Sequence, residues 1–189
     1  MQFPLSKLSL KARRVLFVVS LASLLIFGTI MSRVQASPAT DLLRVSQKEL
    51  EFSKSPAEAD KLISKWGDAG TERLRKQIWW DFGFLLSYAP LLSLGCTFGA
   101  NGAFRHSRRM RTAGLLLAWG GLVAAGADVG ANAAMLKMLQ PPPAPVSPSV
   151  LLAARSFAWV QFPLFILAAL YLLSAALISL LEEPRPADG

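Results

Sequence analysis

Asp128 and Asn132 stand four residues apart in Ala113–Met138, a run otherwise apolar enough to cross a bilayer. Helical spacing puts both on one face. A carboxylate and an amide so placed can hold a proton, a cation or a hydrogen-bonding ligand, and within lipid they must face protein or water. Asp81 and Tyr88, seven residues or two turns apart, repeat the pattern in the run Ile78–Ala100. Arg155 and Gln161 add a base and an amide to the run Val150–Leu181.

Helical rise sets the depth of these groups. From the expected outer surface, Asp81 lies roughly 8 Å in, Asn132 and Arg155 about 9 Å, Asp128 about 15 Å, and Tyr88 and Gln161 roughly 18 Å. Asp81, Asn132 and Arg155 should therefore share a shallow layer, with Tyr88, Asp128 and Gln161 in a deeper one. An arginine facing lipid at that depth is costly, so Arg155 is expected to pair with Asp128 or Asp81. Two readings of the cluster stand. In one, a buried ion pair fixes helix register and does nothing more. In the other, the layer lines a small cavity that binds a proton, an ion, a headgroup or a hydrophobic small molecule.

The elements that position these residues follow from composition. Of 189 residues 53% are hydrophobic and only 17% charged, too apolar for an ordinary soluble domain. The apolar residues gather in four runs, Val15–Met31, Ile78–Ala100, Ala113–Met138 and Val150–Leu181. A bilayer core needs about 20 such residues in a helix, and all four runs approach or exceed that. No ten-residue stretch alternates with period two, which argues against an outer-membrane barrel. The expectation is an all-α protein, a four-helix transmembrane bundle with spans at 15–31, 78–100, 113–138 and 150–181.

The net charge of +8 follows the membrane. Lys7, Lys11, Arg13 and Arg14 fill the N-terminal segment 1–14, and Arg105, Arg108, Arg109 and Arg111 fill the short loop 101–112. Short basic loops stay cytoplasmic, so both termini, including the tail 182–189, are expected inside a cell membrane. The Arg105–Arg111 cluster is expected to meet anionic lipid headgroups. Nucleic acid is not expected, since no basic face is interleaved with aromatics on a soluble domain.

The first run also matches a secretory signal ending at Val34-Gln35-Ala36, but its length of 17 residues exceeds the usual signal core, which favours an uncleaved anchor. Residues 32–77 then form a short extracytoplasmic helical segment. Thr40 or Asp41 can cap a helix to about Phe52, and Ser55-Pro56-Ala57-Glu58 reads as a second start. Ala59, Leu62, Ile63 and Trp66 share a face of that second helix, and Gly67-Asp68-Ala69-Gly70 is expected to end it. Trp79-Trp80 sits where indoles prefer the headgroup boundary. Pro90 is expected to bend the second span. Pro141-Pro142-Pro143-Ala144-Pro145, within the loop 139–149, makes a stiff connector.

Gly126 and Gly130 form a Gly-xxx-Gly pair in the third span, which marks that helix as central to the packing. Signals of catalysis are absent. One histidine, His106, and one cysteine, Cys96, cannot build a conventional zinc site or an internal disulfide. No phosphate-cradling glycine loop or dinucleotide fingerprint is present, and no nucleophile stands beside the aspartates. No cofactor or metal is expected.

Several segments together resemble a family of small bacterial four-span membrane proteins of unknown function. The resemblance rests on Glu49-Leu50-Glu51-Phe52, Ser55–Trp66, Asp81-Phe82-Gly83-Phe84, Tyr88 and Asp128–Asn132. Such proteins often carry an acid–asparagine pair where this chain has Ala131-Asn132, and a basic residue before an aromatic, similar to Arg155-Ser156-Phe157-Ala158-Trp159. The resemblance implies a fold and membrane residence, and supplies no activity. The leading expectation is thus a non-enzymatic membrane protein, structural or an accessory subunit, whose partners are lipids, another membrane protein or a second copy. The alternative is a small carrier or binding protein for a ligand, lipid or proton.

Overall fold

The computed structural model describes residues 5, 7–35, 48–140 and 144–181. The secondary structure of the described residues is all helix, with no strand among them. The long helices are α1 (Leu10–Gln35), α2 (Pro56–Asn101), α3 (Arg108–Met138) and α4 (Pro148–Leu181). Of these, α2, α3 and α4 are long and apolar enough to cross a membrane. A short helical stretch at 48–51 precedes α2. The expected cap at Thr40 or Asp41, the cleavage site after Ala36, residues 141–143 of the proline connector and the tail 182–189 lie outside the described residues.

Neighbouring helices alternate in direction, as the residues that meet make plain. Phe17 near the start of α1 packs edge-on against Phe98 near the end of α2, and Phe27 meets Trp80. Between α2 and α3, the Ser93 hydroxyl donates to the Ala118 carbonyl at 2.7 Å. Between α3 and α4, the Tyr171 hydroxyl donates to the Met110 carbonyl at 3.0 Å, while Phe157 covers Gly130 at the other end. Helix α2 touches each of the other three. Its C-terminal half is therefore buried almost all round, Leu91 to Thr97 without interruption.

Ser55 caps α2 by accepting from the Glu58 amide, and Glu58 accepts from the Lys54 amide at 2.6 Å. The first bond meets a free donor of the helix start, and the second ties the residue before the cap to the first turn. Where the glycine-rich stretch 67–70 is expected to end a helix, only Gly67 leaves helical geometry, and the helix resumes at once. Its φ of 60° lies in the left-handed region that glycine enters freely. One such residue turns the axis without a loop. Pro90, expected to bend the span, sits within α2 without a departure from helical dihedrals.

Two apolar clusters hold the fold. One lies around Leu92, Leu94, Cys96, Ala118, Ala168 and Tyr171. The other joins Leu50, Ala59, Leu74, Ile78, Met135 and Leu151, at the end where the segment before α2 folds back. At that end the Val146 amide donates to Asp60, which ties the α3–α4 connection to the start of α2. The close approach of α3 and α4 depends on Gly114, because a Cβ there would collide with the Tyr171 ring. Gly126, the first member of the expected Gly-xxx-Gly pair, faces open space instead. The pattern reveals small residues but not which way they point.

Candidate functional site

Two polar pairs bridge α2 and α3. The Asn132 amide nitrogen donates to Asp81 Oδ2 at 2.7 Å, and the Tyr88 hydroxyl donates to Asp128 Oδ2 at 2.9 Å. The pairs stack because seven residues on α2 and four on α3 each return to nearly the same face. Gln161, on α4, shares the lining with Asp128. All five line one cavity of about 490 Å³.

Asn132 is the most constrained of them. Its side chain is 0% exposed, its nitrogen is committed to Asp81, and its Oδ1 has no hydrogen-bond partner. A buried acceptor left unmet costs about 1–3 kcal/mol, so Asn132 gains from any donor that reaches it from the cavity it lines.

The stretch 48–53 forms another wall. Leu50, 0% exposed, plugs into the second apolar cluster, and Phe52 packs edge-on against Trp159 and beside Phe162. That docking carries Glu51 into the cavity, where only 5% of it is exposed. Burial, reinforced by the nearby Asp128 and Asp81 carboxylates, pushes the Glu51 carboxyl up to about 7. Lys48 lies at the same cavity, its ammonium 6.0 Å from the centre of the Phe162 ring. The lining thus sets three carboxyl groups against one ammonium.

Arg155 does not join the acids. Its guanidinium donates to the Ser53 carbonyl, and its Nε has no hydrogen-bond partner. Helical geometry explains the departure: Arg155 and Gln161 are six residues apart, about 120° around α4, so both cannot face one cavity. Arg155 instead latches the stretch that carries Glu51. Sequence reasoning missed Glu51, Lys48 and Ser53 at this site. The available signal was Leu50-Glu51-Phe52, an acid between two large apolar residues on the segment expected outside the membrane.

On the opposite side, Arg105, Arg108, Arg109 and Arg111 are all exposed. The loop is shorter than expected, since Ser107 caps α3 and three of the arginines lie in its first turn. Arg105 Nε donates to His106 Nε2 at 2.7 Å. Among the described residues no group of three histidines, cysteines or carboxylates could hold a metal ion. No family model matches this chain, and comparison with curated proteins and with solved structures likewise finds no match.

Proposed function

We propose that this chain is an integral membrane protein of four spans, with α1 crossing beside α2, α3 and α4. It resides in the cell membrane with both termini in the cytoplasm, and the cavity on its outer side binds a small positively charged ligand. Three apolar helices of spanning length support the membrane reading, and the basic segments before α1 and between α2 and α3 support the orientation. On this reading the stretch 48–66 is extracytoplasmic and roofs the site.

One observation carries the binding reading: Asn132 Oδ1 is buried and unpartnered in a cavity lined by Glu51, Asp81 and Asp128. Acceptors there outnumber donors, and no arginine answers the carboxylates. An ionisable group within a membrane protein marks a site with a partner, and here Asp81 and Asp128 meet only neutral donors, with Lys48 the one cation on the lining. A role confined to fixing helix register explains the two bridging pairs, but neither the cavity volume nor the orphan acceptor.

The test is labelling with a hydrophobic carbodiimide in isolated membranes. Modification of Asp128, suppressed by at least one small cation, organic or inorganic, and by no small anion, is the expected outcome. An Asp128 that stays unmodified, with Asp128→Asn behaving as wild type, would leave only a structural or accessory role.

A further inference from the structure

We propose that the ligand is an organic ammonium ion carrying at least one N–H and an apolar body, rather than an inorganic cation; this rests on the cavity being a cation site. A metal ion of the calcium or magnesium type gathers six or more oxygens around one point. Glu51, Asp81 and Asp128 come from three different segments, and no three such groups converge closely enough for that. Carboxylates dispersed over separate walls suit a ligand whose charge occupies only part of the space.

The volume agrees. About 490 Å³ equals the share of liquid taken by roughly sixteen waters, far more than a bare ion fills. Phe84, Phe162, Phe165 and Met135 supply apolar and aromatic surface on the same lining. A molecule with one charged end and a hydrocarbon remainder would match both kinds of wall.

The orphan acceptor then selects within that class. Asn132 Oδ1 needs a donor, and a primary or secondary ammonium brings two or more N–H groups, whereas a quaternary one brings none. Lys48 shows the chemistry in place, since its own ammonium rests over Phe162 at the edge of the cavity. It is exposed and tethered, so it would compete with an entering ammonium for the same carboxylates and ring.

Titration calorimetry on the full chain in lipid nanodiscs tests this with 2-phenylethylammonium, its N-trimethyl analogue, neutral 2-phenylethanol, Na⁺ and Ca²⁺. The expected result is binding of 2-phenylethylammonium, with the trimethyl analogue and the alcohol each at least tenfold weaker and neither metal ion competing. Asn132→Leu should weaken binding at least tenfold. Lys48→Gln, at an exposed position, should tighten it about threefold or more, a gain no misfolded variant could mimic. Binding of Na⁺ or Ca²⁺ without the amine would overturn the ammonium class and leave the cation site standing. Equal binding of the trimethyl analogue would overturn the N–H requirement. Equal binding of the alcohol, or silence from every cation, would overturn both proposals. Unchanged affinity in Lys48→Gln would also count against the proposal.

Discussion

Arg155→Met removes the guanidinium that latches the Ser53 carbonyl while leaving an apolar stem of similar reach. A hydrogen bond from a charged donor contributes about 1.5–3 kcal/mol. At 1.4 kcal/mol per decade, its loss raises the undocked population of the 48–53 stretch about ten- to hundredfold. Undocking should remain local and incomplete. Leu50 stays buried in its cluster, worth about 1.5–3 kcal/mol by transfer, and Phe52 keeps its contacts with Trp159 and Phe162. Hydrogen exchange in nanodiscs, read by mass spectrometry, follows such openings directly. Amides of 48–53 should exchange ten- to hundredfold faster than in wild type, with those of 91–97, in the buried half of α2, unchanged. Unaltered exchange at 48–53 would refute the latch. Acceleration throughout the chain would show instead that Arg155 supports the whole fold.

Three further outcomes follow from single contacts. Tyr88→Phe strips Asp128 of the hydroxyl that donates to it, and should destabilise the protein by about 1.5–3 kcal/mol in thermal unfolding. Glu51 has a pKa of about 7 in the folded chain against an ordinary 4.5, so the docked state holds the proton more tightly. Docking is therefore fully supported below pH 4.5 and weakens as pH rises through about 7. Exchange at 48–53, corrected for its intrinsic pH dependence, should accelerate by up to about tenfold per pH unit within that window, and Glu51→Gln should flatten the profile. Gly67→Ala forces a Cβ onto backbone at φ 60° and ψ −172°, a region that is essentially glycine's alone, with open space around it, so its cost in thermal unfolding should be the conformational one, about 1–3 kcal/mol.

Helical arithmetic goes a long way in this chain, and stops at an identifiable point. A rise of 1.5 Å per residue sets Asp81 level with Asn132 and Tyr88 level with Asp128, and those are the pairs that hydrogen-bond. The same count puts Arg155 at the right height but ignores its azimuth, and about 120° around α4 separates it from the cavity. Glu51 was out of reach for a different reason. Its position depends on Leu50 turning a polar segment back onto the helices, a tertiary event with no period in the sequence. Gly67 shows the middle case: the residue that breaks the helix is legible, but the immediate resumption of α2 is decided by packing of Leu74 and Ile78.

The central claim is that the polar faces of α2 and α3 meet inside the protein and form one wall of the cavity. A thiol cross-link measures it in native membranes, in a Cys96→Ser background with a protease site inserted in the 102–107 turn. Asp81→Cys combined with Asn132→Cys should be joined by a short bismaleimide, so that the two halves stay together after cleavage. Asp81→Cys combined with Lys137→Cys, at an exposed position about 140° further round α3, should fall apart. Equal linking of both pairs, or of neither, would contradict the account.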